Sequence, residues 1–478
     1  MNIRGILNIM GSLLMIIALA MVIPVLVGIY YHEKDAIAFI FTSGLTFLSG
    51  VLFKCINYDK KIGFQYKDGF VVVTMGWLIV SIFGGIPFIL TGVLTNPIDA
   101  FFESVSGFTT TGATVIMYLE NLSHTILFWR SLTHWLGGMG IIVMAIAILP
   151  ELAGNMHLFK REVPGPFSDR IKPRIKDTAK TLWFIYLILT FVEIILLYLN
   201  GISLFDAVIH SFGTISTGGF SSNSLSIKLY NSLSIEIIIT IFMFLAAVNF
   251  KLLYIGFSGG IKKMLRDEEL RFYVLILVVT SLLIFLNLEM QMYDNTLKSL
   301  KNSVFQVVSL SSTTGFATVD YDTWPSFSRW FLLVLMFVGG CAGSTSGGIK
   351  VIRIRILFKK VTGELQRLLH PNIVKKIKVN NKVLPDVVST NILSFFYLYI
   401  TVFVIGTIIL TYLGVDIISS VSAVASTLGN VGPGLKLVGP LNSYMNLPLQ
   451  ARFILIICML MGRLEIYTIL VFLFMEWR

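Results

Sequence analysis

Four stretches of this 478-residue chain gather small hydroxyl residues and glycine between long apolar runs: FTTTGATV (108–115), ISTGGFSS (215–222), SSTTGFAT (311–318) and GNVGPGLK (429–436). Such residues offer chemistry mainly through their backbone. Glycine adopts unusual backbone angles and lets the chain approach an ion closely. Carbonyl oxygens turned toward one axis can replace the hydration shell of a monovalent cation. The candidate ligands are Thr110, Thr111 and Gly112; Ser216, Thr217 and Gly218; Thr313, Thr314 and Gly315; and Asn430, Val431 and Gly432. The threonine hydroxyls can hold such a loop from behind or contribute oxygens. An ordinary turn explains any single stretch, but four copies at matching places favour a filter. The fourth departs from the others, with Asn430-Val431 in place of hydroxyl residues and with Pro433 after the glycine.

A fifth polar stretch, VGGCAGSTSGGIK (338–350), carries Gly339, Gly340, Gly343, Gly347 and Gly348 within an otherwise apolar segment. It resembles a phosphate-binding loop only superficially, because Ile349 displaces Lys350 from the required place and no core strand precedes it. Two readings stand: a glycine-rich kink packed against neighbouring helices, or a flexible loop that obstructs a path below the filter. Arg463 lies inside the apolar run ICMLMGRLEIYTILV. A charge there must face the bundle interior or water, and Glu465, two positions on, is a poor partner along a helix. Arg463 is therefore either half of an interhelical ion pair or an electrostatic barrier to cations. Lys251 can simply snorkel to the membrane surface. The acids Asp99, Glu103, Asp206, Asp320, Asp322 and Asp416 can concentrate cations or serve as helix-terminal charges. The six histidines show no metal-ligand spacing.

The elements that must position these residues follow from composition. The chain is 55% hydrophobic and 13% charged, with a mean hydropathy of +0.83, which indicates an all-α polytopic membrane protein. Apolar runs of membrane length occur near 7–29, 36–55, 70–93, 126–149, 181–199, 234–255, 272–289, 328–357, 388–413 and 451–475. The net charge of +11 concentrates at Lys54–Lys67, Lys160–Lys180, Lys262–Arg271 and Lys350–Lys382. With ten spans all four clusters fall on one side, which the positive-inside rule assigns to the cytoplasm together with both termini. That distribution argues against nucleic-acid binding. Cys55, Cys341 and Cys458 suggest no disulfide framework, and the first apolar run reads as an uncleaved span.

The last eight spans form a repeat. Each unit is a span, a half-length helix, a glycine loop and a second span. The half-helices are expected at Asp99–Phe108, Phe205–Gly213, Leu297–Leu310 and Ile417–Leu428. Aligned on Gly112, Gly218, Gly315 and Gly432, the loops lie 106, 97 and 117 residues apart. The expected organisation is a two-span unit (1–60) followed by repeats at 61–155, 156–262, 263–384 (with a broken second helix) and 385–478. Irregular backbone at membrane depth is tolerated only when buried in protein or lining a watery cavity, so four such loops belong around one axis.

These motifs, with HWLGGMGIIVMAIAILP (134–150), KPRIKDTAKTLW (172–183) and GGCAGSTSGGIK (339–350), resemble the TrkH/KtrB family of potassium uptake proteins, and TrkH more than KtrB. The two extra N-terminal spans suit that branch, and the likeness covers essentially the whole chain. The resemblance implies potassium as the conducted ion, a gating loop at 339–348 and Arg463 of the last span beside it. It also implies a homodimer with one pore per protomer and a cytoplasmic nucleotide-binding regulatory partner of the TrkA type, with no cofactor in this chain. A proton- or sodium-coupled symporter would also suit broken helices, though no midplane acid relay is evident. A polytopic membrane enzyme would need a convergent catalytic cluster, and none is apparent.

Overall fold

The protein is described from a computed structural model covering residues 1–55, 66–140, 175–373 and 376–475. Helices account for nearly all regular structure. A two-stranded hairpin, β1 (Lys378–Val379) with β2 (Lys382–Val383), is the one sheet among the described residues. Among the described residues six helices are long and apolar enough to cross a bilayer, and up to eight spans result if each bent pair counts as one.

The chain begins with α1 (Ile3–Tyr30) and α2 (Ala36–Lys54), followed by α3 (Tyr66–Leu90). After α3 comes the half-helix α4 (Pro97–Phe108), then α5 (His124–Gly138). Residues 141–149 of the span expected over 126–149 lie outside the described residues, as do most of the basic stretches 54–67 and 160–180 and the boundaries at 60 and 155. The pattern then recurs as α6 (Ile175–Leu199), half-helix α7 (Leu204–Ile215) and α8 (Leu233–Ala247), with α9 (Phe250–Ile255) and α10 (Ile261–Leu265) after it. Next come α11 (Glu268–Gln291), half-helix α12 (Thr296–Ser311), α13 (Ser326–Leu335) and α14 (Val351–Leu369). The chain closes with α15 (Asp386–Tyr412), half-helix α16 (Ile417–Gly429), α17 (Leu449–Arg463) and α18 (Ile466–Phe474).

Each half-helix starts with a side-chain cap. Asn96, Ser203, Asn295 and Asp416 accept from backbone N–H groups of the first turn, satisfying donors that water cannot reach once the helix dips into the protein. At 12 to 16 residues they rise about 18–24 Å, short of the roughly 30 Å hydrocarbon core. They descend partway and stop.

The second helices depart from expectation. The sequence suggests continuous spans over 234–255 and 451–475, with a break only in the third repeat. Instead the chain turns by 105° between α8 and α9 and by 110° between α17 and α18. At the first bend Val248 is extended and Asn249 starts a new helix by accepting from Lys251 N. At the second, Glu465 has φ +57°. In both places apolar residues resume directly after the few polar ones at the turn, so a span-length run conceals it. We call the end where the half-helices start the loop face, and the end carrying Lys262–Arg271 and α14 the basic face.

Candidate functional site

All four half-helices end in one way. A residue in left-handed conformation follows the helix: Thr110 (φ +54°), Thr217 (+55°), Thr313 (+60°) and Asn430 (+52°). Its N–H bonds the carbonyl three residues back, and the next N–H reaches five back: Thr111 to Ser106, Gly218 to Gly213, Thr314 to Ser309 and Val431 to Ser426. This double bond pattern closes the exposed carbonyls of a helix end. Asparagine adopts such an angle readily, but a β-branched residue does so at a cost of about 1–3 kcal/mol. Three strained threonines in equivalent places mark a functional constraint.

The next residue in each loop is a glycine with positive φ: Gly112 (+81°), Gly219 (+78°), Gly315 (+79°) and Gly432 (+100°). This corrects the alignment on Gly218. In the second loop the equivalent glycine is Gly219, and Gly218 holds the place of Thr111, Thr314 and Val431. Ser216 falls at the helix end with Thr109 and Ser312. A run of two glycines leaves the register open until the helix end is located, and boundaries are good to a residue or two.

The glycines interlock the loops. A Cβ built on Gly112 would stand 2.1 Å from the Gly218 carbonyl oxygen, one on Gly219 1.9 Å from that of Thr314, and one on Gly315 2.1 Å from that of Val431. One on Gly432 would stand 2.7 Å from the Thr111 oxygen, which closes the cycle. The four loops therefore form a ring in sequence order, and no side chain fits between neighbours. Among the described residues none donates a hydrogen bond to the carbonyls of Thr111, Gly218, Thr314 or Val431. The negative ends of four helix dipoles converge on the same place. Hydroxyls brace the ring from outside: Thr109 with Thr111 (2.7 Å), Ser312 with Thr314 (2.8 Å), and the Tyr444 hydroxyl donating to the Gly432 carbonyl (2.6 Å). On the loop face a cavity of about 90 Å³ opens over Gly112, Gly219, Gly315 and Gly432.

The stretch 339–348 packs against the ring from the basic face. Gly347 N donates to Thr313 Oγ1 (2.7 Å), and the Thr345 hydroxyl donates to the carbonyls of Ile215 (3.0 Å) and Ala246 (3.1 Å). A Cβ on Gly347 would meet the Gly429 carbonyl oxygen at 2.4 Å, and one on Gly339 would meet that of Gly347 at 1.9 Å. The fold of this stretch thus depends on bare glycines. Arg463 ties the remaining loop to it. Its guanidinium donates to Thr110 Oγ1 (3.0 Å), to Thr345 O (2.9 Å) and to the Gly137 and Gly138 carbonyls at the end of α5 (2.6 and 3.0 Å). Arg353 forms an ion pair with Glu465 in the same region, at 2.7 Å. Lys350 is 2% exposed and donates to Ser346 O. A space of about 20 Å³ remains between Ser346, Gly347, Lys350 and Arg463, room for about one water molecule.

The loop-face acids serve the scaffold. Glu103 is fully buried against Arg130 (2.8 Å) and accepts from Thr114 and from Val115 N. Asp99 pairs with Arg452, Asp416 caps α16 and pairs with Lys436, and Asp206 accepts from Ser203 and Ser222. Asp320 accepts from Asp322 N, and Asp322 pairs with Arg329 at 3.6 Å. Two features escaped the sequence reading. One is the pair of helix breaks, whose signal was Asn249 as a helix-starting residue. The other is Glu193 on α6, which is fully buried near the Thr214 hydroxyl, with no well-formed hydrogen bond to its carboxylate oxygens among the described residues. Its signal was the lone acid in the apolar run TLWFIYLILTFVEIILLYL.

Known proteins share both the sequence and this architecture. The family model TrkH, described as a cation transport protein, matches residues 35–477. The Trk system potassium uptake protein TrkH of Salmonella typhimurium (strain LT2) is 42% identical over 98% of each chain. The Trk system potassium uptake protein TrkG of Escherichia coli (strain K12) is 38% identical, over 98% of this chain and 97% of its own. The crystal structure of the potassium transporter TrkH from Vibrio parahaemolyticus superposes with a TM-score of 0.90 at 39% identity, covering all of both chains. On this agreement of sequence, length and fold, the chain belongs to the TrkH family of cation transport proteins.

Proposed function

We propose that the protein takes up potassium across the cell membrane through a channel-like pore. Its filter is the ring of Thr110–Gly112, Thr217–Gly219, Thr313–Gly315 and Asn430–Gly432. The observation that carries this reading is the closed cycle of glycine-to-carbonyl contacts, which leaves four carbonyl oxygens free for a dehydrated cation. The relatives named for potassium uptake support the choice of ion. The stretch 339–348, clasped by Arg463, is the gate, and the space of about 20 Å³ beneath the ring corresponds to its closed state. Repeats at 61–155, 156–262, 263–384 and 385–478 supply one loop each. The working unit is a homodimer with cytoplasmic termini, and a TrkA-type nucleotide-binding subunit acts on the basic face.

The test is potassium and sodium flux into liposomes holding the purified protein, with and without an imposed proton gradient. Passive, potassium-favouring flux that ignores the proton gradient supports a channel. Glu193 favours a second reading, proton- or sodium-coupled symport, because an intramembrane carboxyl is by default a functional group. Flux that follows the gradient and loses that dependence in Glu193→Gln would establish symport instead.

A further inference from the structure

At the basic face, the first turn of α11 borders a pocket of about 580 Å³ lined by Arg266, Arg271 and Arg355, with Phe272, Leu275 and Glu268. The three arginines are not used up by protein partners. Arg271 commits Nε to the Leu265 carbonyl (2.8 Å) and Arg355 commits Nε to Glu268 (3.1 Å). Their terminal nitrogens, and the whole Arg266 guanidinium, make no hydrogen bond to the described residues. Glu268 is already engaged by Lys359 as well. The lining therefore keeps a net positive charge and several unfilled donors in the forked geometry that suits phosphate oxygens.

The position of the pocket decides between occupants. α11 is a membrane-length helix of 24 residues, so its first turn lies where hydrocarbon meets water. Leu275, 55% exposed, starts a row with Val278 (58%) and Leu282 (53%) that runs along the outer surface of the helix. A ligand with a phosphate at the arginines and acyl chains along this row satisfies both halves of the surface at once. A free phosphate would leave the apolar row unexplained. We propose that this pocket binds the phosphate headgroup of an anionic membrane lipid, with its chains lying along α11.

The site adjoins the stretch 339–348 through two links. Glu269, the neighbour of Glu268, accepts from Ala342 N (2.6 Å), and Arg355 lies on α14 directly after that stretch. A lipid phosphate competes with Glu268 for Arg355, so occupancy bears on how firmly the stretch is held. This consequence rests on the gate reading; the binding does not.

Delipidated protein in neutral detergent is titrated with phosphatidylglycerol, and adducts are counted by native mass spectrometry. Arg266→Gln/Arg271→Gln should weaken the tightest adduct roughly 30-fold, taking about 1 kcal/mol for each interfacial arginine. Lys262→Gln/Lys263→Gln removes the same charge from exposed neighbours outside the pocket and should leave that adduct unchanged. Equal weakening by both pairs would mean diffuse attraction and would overturn the site, as would equal affinity for phosphatidylcholine. Millimolar inorganic phosphate should not displace the lipid; full displacement would make this a soluble-phosphate site and overturn the lipid assignment. Arg266, which is exposed and whose guanidinium makes no hydrogen bond among the described residues, is also tested alone as Arg266→Gln. Undiminished binding there, in protein of parent monodispersity, counts against the proposal even if the double variant misfolds.

Discussion

At the scale of single residues, the two glycines of ISTGGFSS separate two roles. A side chain on Gly219 would strike the Thr314 carbonyl and also strain a φ of +78°, whereas one on Gly218 would strike the His134 ring at 2.3 Å. Gly219→Ser, like the same change at Gly112, Gly315 or Gly432, should lower the rubidium-to-sodium uptake ratio roughly tenfold, since displacing a filter carbonyl forfeits about 1–3 kcal/mol. Gly218→Ser should act through the buried stack of His134 on Phe220, reducing stable protein. If the Gly219 variant keeps the parent ratio, the loops are not the filter. Arg463 allows a comparable separation. Its bonds run to neutral oxygens of three segments, so shape matters as well as charge. Arg463→Lys preserves the charge but cannot reproduce four bonds to spread acceptors. A clasp predicts that Lys and Ala variants both raise potassium flux; a purely electrostatic barrier predicts parent flux for Lys. The sequence exposed the candidate residues because polar backbone is conspicuous in an apolar chain. It left the register of the second loop open, because Gly-Gly offers no side chain to fix it.

At the scale of elements, the half-helices were legible and the breaks were not. A half-helix ends in glycine and hydroxyl residues that cannot continue an apolar helix, so its limits show. The bends at Val248–Asn249 and Leu464–Glu465 lie within runs that stay apolar on both sides, and the few polar residues at each turn, Asn249 and Lys251 or Arg463 and Glu465, also fit an unbroken span. The break after α8 contacts the stretch 339–348. Cys341 N donates to Ala247 O (2.9 Å) and Phe250 N to Gly343 O (3.0 Å). The stretch therefore occupies acceptors and donors that the broken helix exposes. In its present position the Thr345 hydroxyl joins α7 to α8. Thr345→Val keeps the shape and deletes that single donor shared between two carbonyls, worth about 1 kcal/mol. Potassium flux without a regulatory subunit should rise roughly fivefold with an unaltered potassium-to-sodium ratio. A changed ratio would assign the residue to the filter, and unchanged flux would remove the stretch from gating.

At the scale of the whole molecule, the question is how the N-terminal pair α1 and α2 holds to the helices that follow. The turn between α1 and α2 supplies the answer. Glu33 accepts from His124 N (2.8 Å), Thr125 N (2.9 Å) and the Thr125 hydroxyl (2.6 Å), Asp35 accepts from Ser123, and Tyr31 stacks on His124 at 3.9 Å between ring centres. Glu33 thus reaches across from one unit to satisfy the first N–H groups of α5, where a negative charge also suits the helix dipole. Partial burial disfavours that charge, but the hydrogen bonds from Thr125 and His124 outweigh it and hold the carboxyl below its ordinary value of 4.5. The sign follows from linkage. A group whose pKa is lowered by folding contributes stability above its unfolded value and loses it as pH falls through the folded value. Glu33→Gln should therefore be less stable than the parent at neutral pH, by about 1.5–3 kcal/mol on the scale of a hydrogen-bonded charge. The gap should stay constant down to about pH 4.5 and close below it. Thermal unfolding in detergent across that range measures both curves. A gap that persists undiminished in acid would mean that the carboxylate charge contributes nothing and that the two units are joined by packing alone.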